Sequence, residues 1–244
     1  MDLTRLGYRE IALRYKLTPI ENGADISFSS KGKPALTQDF DLKLGDDVQS
    51  ALGRLVVRWR FNAPTLNTLL NVVIEAKQRL NDAEKARDQY VVLRQTDPEA
   101  ALKIWHEAGD EIGVHEFGPE ACAGAIMVVL QSLLRREWND LNKPATWETA
   151  GELIGGHALG PIVEAAANNF RHFDEWAREA IPKPKQMESI QVLADVLGHA
   201  LAPNGANHQF RGNKCPEILT AVSNDSFETL MDRFYGFARG LAGL

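Results

Sequence analysis

The fold is decided by an amphipathic segment at residues 161–181, which reads PIVEAAANNFRHFDEWAREAI. Apolar side chains recur there at spacings of three and four residues, which is the period of one buried helical face. These apolar positions are Val163, Ala166, Phe170, Phe173 and Ala177. Polar residues, including Asn168, Arg171 and His172, fall on the opposite stripe. The segment is therefore predicted to be a helix that packs on a core and presents a polar face.

The polar face of this helix has two interpretations. Asn168 and His172 are four residues apart, so their side chains lie one helical turn from each other. Together with the guanidinium of Arg171 they could converge on one small anion. Alternatively, the stripe is a solvated surface on which Arg171 and Glu175 form an ordinary i, i+4 ion pair. The periodicity by itself is compatible with both.

The composition is that of a globular protein. The chain has 244 residues, 44% of them hydrophobic and 25% charged, so it can bury a core, and disordered and fibrous classes are excluded. The net charge of −6 excludes a protein that coats nucleic acid through bulk positive charge. Any contact with RNA must therefore be local.

The location of the protein is predicted from three features. Cys122 and Cys215 have no metal-ligand spacing and do not suggest a disulfide framework. The first residues, MDLTRLGYRE, lack the apolar region of a signal peptide. The most apolar run, residues 121–134, is too short to span a bilayer and is interpreted as a core helix. We expect a cytoplasmic protein without a membrane segment.

Two regions are predicted, a small β element at residues 1–45 and a helical domain at 46–244. In the first, residues 8–17 alternate as in a strand, Asn22 and Gly23 suit a tight turn, and residues 24–29 and 35–44 supply further extended pieces. In the second, helical periodicity dominates. The predicted helices cover residues 46–63, 64–95, 98–112, 119–141, 147–154, 161–181 and 187–201, followed by a turn-rich loop at 202–214, a short segment at 216–219 and a closing helix from 226.

Known catalytic motifs are absent from the sequence. It lacks GxGxxG after a strand, GxxxxGK[ST], HExxH and GxSxG. Histidines and carboxylates at residues 106–116 are interpreted as solvated side chains and not as metal ligands, because the predicted helix breaks at Gly113. We expect no cofactor and no metal site. Arg54 and Arg58, one turn apart on the first predicted helix, either bind RNA phosphates or cover a helix flank with their aliphatic stems.

The block ANNFRHFDEW at residues 167–176 resembles the HEPN superfamily of helical-bundle proteins, many of which are metal-independent ribonucleases of toxin, CRISPR and antiphage systems. It is most similar to a bacterial HEPN-like group in which Asn, an aromatic residue, Lys or Arg, and His precede an acidic residue and Trp. Asn168 and His172 occupy the positions of the family's polar residue and histidine. The family's arginine position is Ala167, which is a departure. The resemblance extends over roughly residues 46–244.

The resemblance implies a dimer in which two copies of the motif form one cleft. The histidine takes part in proton transfer while an RNA 2′-hydroxyl attacks its own phosphodiester, and the arginine holds the phosphate. Carried over to this chain, His172 is the acid or base, Asn168 the orienting residue and Arg171 the phosphate contact. An antitoxin or a defence-system protein is an implied partner.

Three functions remain open from the sequence. The first is a metal-independent endoribonuclease that uses His172. The second is a catalytically inactive HEPN-like subunit that binds RNA or protein, or senses a signal, because its arginine position is Ala167. The third is an enzyme acting on a small ligand or through a metal in the bundle, and it rests only on scattered histidines and carboxylates.

Overall fold

The structure is a computed structural model that describes residues 2–17, 28–36, 42, 47–179, 181–202 and 212–244, and it is mainly helical. This confirms the helical part of the predicted fold class. The α-helices of the described residues are α1 (Tyr8–Arg14), α2 (Asp47–Leu93), α3 (Pro98–Phe117), α4 (Glu120–Asp140), α5 (Leu159–Arg178), α6 (Pro184–Leu197), α7 (Cys215–Ser223) and α8 (Phe227–Leu241).

The N-terminal strand predicted at residues 8–17 is wrong, because α1 occupies most of it. The alternating pattern also fits a short amphipathic helix of about two turns, and Glu10 caps that helix by accepting a hydrogen bond from the Gly7 N–H at 2.6 Å. Ile11 is buried, and the ring of Tyr15 stacks on Tyr235 of α8 at 4.5 Å. Packing on the bundle therefore outweighs the weak β propensity of this run.

The rest of the predicted β element lies largely outside the described residues. This applies to the turn at Asn22 and Gly23, to residues 24–27 and to most of 35–44. The described part contains two isolated antiparallel bridges, Phe28 with Pro34 and Leu36 with Leu42, and no sheet. The boundary at residues 45 and 46 stays a prediction.

Helix α2 is one element of 47 residues, and the break predicted at Pro64 is wrong. At about 1.5 Å per residue it is roughly 70 Å long. Pro64 itself is exposed, whereas Trp59, Ala63 and Leu66 are buried on a face that continues across it. Packing on both sides of the proline offsets its missing N–H donor.

Helix α3 begins as predicted, since the Asp97 side chain accepts a hydrogen bond from the Ala100 N–H at 3.0 Å. It continues five residues past the predicted end at residue 112, through Gly113. With α2 it forms a hairpin whose buried seam consists of alanines seven residues apart on each helix. These are Ala76 and Ala83 on α2, and Ala101 and Ala108 on α3.

The hydrophobic core lies among α2, α4, α5, α6, α7 and α8, and α1 joins it through Ile11. Its aromatic centre is Trp59 of α2, which contacts Phe227, Phe234 and Tyr235 of α8. Among the described residues, the core cluster includes none from α3. The α2–α3 hairpin is therefore an arm attached to the bundle through α2.

Helices α4, α5, α6 and α8 lie close to their predicted bounds, and the predicted Ser226 cap of α8 is confirmed by its bond to the Thr229 N–H at 3.4 Å. The helix predicted at residues 147–154 is wrong, because only a 3₁₀ turn forms at Ala145–Glu148. Gly151 then adopts a φ of +74°, and a Cβ there would lie 3.0 Å from the Phe237 Cα. The close approach to α8 turns the chain away from a helical path.

One helical stretch of the described residues, Pro98–Asp140, has the length and apolar character of a membrane span. In its apolar window 44% of the residues are buried inside the structure. The core helix of a soluble protein meets the same criterion.

Candidate functional site

Helix α5, which carries the predicted site, has a buried N-terminal half and a mostly exposed C-terminal half. Val163 and Ala166 are buried as predicted, Phe170 and Phe173 are half-buried, and Ala177 is exposed. The Phe170 ring lies against α4, where a Cβ on Gly124 would come within 2.1 Å of it. Glycine at position 124 therefore allows the two helices to approach closely beside the polar block.

The three predicted catalytic side chains have three different partners. Asn168 donates a hydrogen bond to the Ser189 hydroxyl of α6 at 3.4 Å. Arg171 donates to the Gln131 side chain of α4 at 2.7 Å. His172 Nδ1 lies 3.3 Å from a carboxylate oxygen of Glu175 on α5 itself. Within one chain the structure does not bring the amide, guanidinium and imidazole onto a common point.

The exposure of these side chains also differs. The side chain of His172 is 47% exposed and Arg171 is exposed, whereas Asn168 is half-buried. Ala167, at the arginine position of the resembled motif, is fully buried. The helix face that would carry an arginine in the motif is thus packed into the core of this chain.

The neighbouring residue Asn169, which is not among the predicted site residues, is the buried amide of the block. It is 0% exposed, donates to the Gly212 carbonyl at 3.2 Å and accepts from the Lys214 N–H at 2.7 Å. These bonds fasten the segment before α7 to α5. The signal was its spacing, since Asn169 follows Ile162 by seven residues and therefore lies on the buried stripe.

Asn213 extends this network towards α4. Its side chain donates to the Glu120 carbonyl at 3.3 Å and accepts from the Cys215 N–H at 2.9 Å. The thiol of Cys215 donates to the Ala166 carbonyl at 3.3 Å, and burial raises the pKa of this thiol to about 12. The thiol is therefore protonated and structural at neutral pH.

The two arginines predicted to bind RNA, Arg54 and Arg58, both contact one carboxylate. Each donates to Asp140 Oδ2 of α4 at 3.0 Å. Their side chains are 13% and 19% exposed, and that of Asp140 is 13% exposed. The structure thus places them in a half-buried ion pair that joins α2 to α4.

Glu137 lies one turn before Asp140 and is fully buried. In the described part of the molecule neither of its carboxyl oxygens has a hydrogen-bond partner, and neither does Nη1 of Arg54. Burial raises the pKa of Glu137 to about 8; Asp140 adds to the rise, and Arg54 and Arg58 oppose it. Glu137 is therefore mainly protonated at neutral pH.

The histidines are dispersed. His115 Nε2 lies 3.0 Å from Glu111, and His157 Nε2 lies 2.8 Å from Asp195 of α6. The residues that the structure describes contain no group of three or more side chains able to hold a metal ion.

Comparisons with protein-family models, with curated proteins and with solved structures find no match to this chain. The HEPN resemblance of residues 167–176 therefore stays a prediction based on the sequence.

Proposed function

We propose that this chain is a cytoplasmic, catalytically inactive HEPN-like subunit that works by binding a partner. The observation that carries the proposal is the complete burial of Ala167, because the position of the motif's arginine then faces the core and is not accessible to a phosphate. The polar side chains nearby also support it. Asn168 contacts α6 and Arg171 contacts α4, so both contribute to helix packing.

A second candidate is a metal-independent endoribonuclease completed by a second copy of the chain. The exposure of His172 and Arg171 on the same end of α5 favours it. In that reaction the imidazole of His172 would accept the proton of an RNA 2′-hydroxyl, whose oxygen then attacks the adjacent phosphorus and displaces the 5′-oxygen. Arg171 would contact the phosphate and Asn168 would orient the reacting groups.

A paired assay of wild type and His172→Ala decides between these functions. We expect wild type to leave a mixed RNA pool intact in EDTA. We also expect His172→Ala to lower the mass in solution from that of a homodimer towards that of a single chain. His106→Ala is the matched control, since it removes an exposed histidine from α3. EDTA-resistant cutting that is lost in His172→Ala and retained in His106→Ala would replace the proposed function with the nuclease. If His172→Ala has the same dimer mass as wild type, the polar block of α5 is not the dimer interface.

A further inference from the structure

A groove of about 440 Å³ lies between α2 and α4, away from the polar block of α5. Its apolar lining comes from Val57 and Phe61 on α2 and from Val129 and Leu133 on α4. On each helix these residues are four apart, so they form two short parallel ridges. A third helix laid in the groove would contact both.

The apolar side chains on the α2 side are unusually accessible. Phe61 is 85% exposed and Val57 is 59% exposed, whereas Leu133 on the floor is 5% exposed. Val57 and Phe61 thus form a small exposed apolar surface beside a buried floor, which is the geometry that a docked amphipathic helix covers. Burial of Phe61 would remove one of the most exposed aromatic rings of the described residues from water.

The charge at the groove is positive. Arg58 and Arg136 line it, and no carboxylate does. Arg58 is already paired with Asp140, but Arg136 is exposed and has no ion pair within the described residues. An occupant that supplies a carboxylate would complement the charge of Arg136 at this apolar groove.

A second copy of the chain does not meet that requirement through this groove. Two grooves facing each other would bring the exposed Arg136 side chains of both copies together, and the groove lining supplies no carboxylate to either of them. Like charges brought together in an interface disfavour association by several kcal/mol. A dimer in which two of these grooves face each other is therefore disfavoured.

We propose that the α2–α4 groove binds an acidic amphipathic helix of a partner protein. Apolar side chains of that helix, spaced by three and four residues, pack on Val57, Phe61 and Leu133. A carboxylate near the end of its apolar stripe pairs with Arg136. The inference rests on the proposed binding function and assigns it a surface that does not include His172.

The test is a selection of helical peptides displayed on phage, with acidic and basic residues equally represented at the exposed positions. The immobilised target is the full-length chain. We expect peptides enriched in Asp and Glu, with apolar residues at i, i+3 or i+4, and i+7. Phe61→Ala and Arg136→Glu should each weaken their binding at least about tenfold, as for residues at the centre of an interface. Both positions are exposed, so both variants should fold.

Two matched controls lie outside the groove. Phe117→Ala removes an aromatic ring of α3 that is 63% exposed, and Arg178→Glu reverses an exposed charge on α5. Both should bind the selected peptides within about twofold of wild type, as expected for positions outside an interface.

Three outcomes would overturn the inference. In the first, Phe61→Ala and Arg136→Glu bind the selected peptides as tightly as wild type does. In the second, the selected peptides are basic. The third outcome is that a single-stranded RNA of mixed sequence binds wild type and that this binding is lost in Phe61→Ala and Arg136→Glu. RNA cutting that depends on His172 would overturn the proposed function and leave peptide binding to be judged separately.

Discussion

Asn168 and Asn169 are neighbours in the chain but differ in what they contribute to stability. Asn169 is fully buried and satisfies two backbone groups of residues 212–214, whereas Asn168 is half-buried and makes one long hydrogen bond to Ser189. We expect Asn169→Ala to lower the free energy of unfolding by about 2–4 kcal/mol, since it removes a fully buried amide together with its hydrogen bonds to the Gly212 carbonyl and the Lys214 N–H. Asn168→Ala should cost about 1 kcal/mol or less. Urea denaturation of the two variants measures the difference.

The comparison of the two variants shows whether the asparagines at residues 168 and 169 stabilise the fold or only lie at its surface. Equal losses of unfolding free energy in the two variants would mean that the Asn169 hydrogen bonds contribute no more than the bond of the half-buried Asn168. Ser223→Ala is a useful reference, because this hydroxyl is also fully buried and donates to the Leu219 carbonyl within its own helix at 2.7 Å. The hydroxyl also accepts from the Asp225 N–H at 3.1 Å, so its loss removes two local hydrogen bonds without separating α5 from the segment before α7.

Glu137 should give the protein a characteristic pH dependence. Its ordinary pKa is 4.5, and burial raises it to about 8 in the folded state. Below pH 4.5 the carboxyl is protonated in both the folded and the unfolded state, so Glu137 does not lower the free energy of unfolding there. Between 4.5 and about 8 the unfolded chain loses the proton first, so stability falls as the pH rises. We expect a fall of a few kcal/mol, since each unit of pKa corresponds to about 1.4 kcal/mol.

Glu137→Gln isolates this effect, because glutamine keeps the shape of the side chain and does not ionise. The free energy of unfolding of this variant should vary less between pH 5 and 8 than that of wild type, and the variant should be the more stable protein at pH 8. Chemical denaturation across this range measures both. A wild type and a variant with the same pH profile would contradict a raised pKa at Glu137.

At the scale of elements, Pro64 interrupts the hydrogen bonds of α2 without ending the helix. Because its side chain is exposed, Pro64→Ala should restore a backbone N–H donor without disturbing the core. We expect the free energy of unfolding to rise by about 1–3 kcal/mol. Pro98→Ala is the matched control: Pro98 lies in the first turn of α3, where proline is well tolerated, so the change should be below about 1 kcal/mol. A destabilised Pro64→Ala would mean that the proline supports the long helix.

Elements with strong local signals could be predicted from the sequence, and elements decided by packing could not. The Asp97 and Ser226 caps and the apolar period of α4 are local, and they predict these helices closely. Gly113 does not end α3, because a glycine inside a helix costs only about 1 kcal/mol. Residues 8–17 fit either period, and their contact with α8 decides the helix.

The same distinction applies to the candidate site. Periodicity places His172 and Arg171 on an accessible face and could have placed Asn169 and Glu137 on buried ones. It does not give partners on other helices. Asp140 is 86 and 82 residues from Arg54 and Arg58 in the chain, so their pairing follows from the packing of α2 on α4. The positive charges of Arg54 and Arg58, which the sequence shows without a nearby carboxylate, are paired with Asp140 in the folded protein.

At the scale of the whole molecule, the bundle and the α2–α3 arm should differ in stability. Helix α8 buries eight residues, four of them aromatic, whereas α3 buries only Ala101 and Ala108 in the described structure. Segments with little buried apolar surface open locally at a lower free energy than the core. In hydrogen exchange measured by mass spectrometry, amides of α3 should exchange faster than those of α8 under native conditions.

Substitutions at two adjacent positions of α3 test whether the arm opens separately from the bundle, because one should speed hydrogen exchange in α3 and the other should slow it. Ala108→Leu adds volume to the close alanine seam, so it should separate α3 from α2 and speed exchange across α3. Gly109→Ala places a methyl group where no atom lies within 4 Å, and it should slow that exchange by raising helix propensity by about 1 kcal/mol. Exchange in α8 should stay the same in both variants if the arm opens on its own. A parallel change in α3 and α8 would mean instead that arm and bundle unfold as one cooperative unit, and that the alanine seam transmits stability along the whole length of α2.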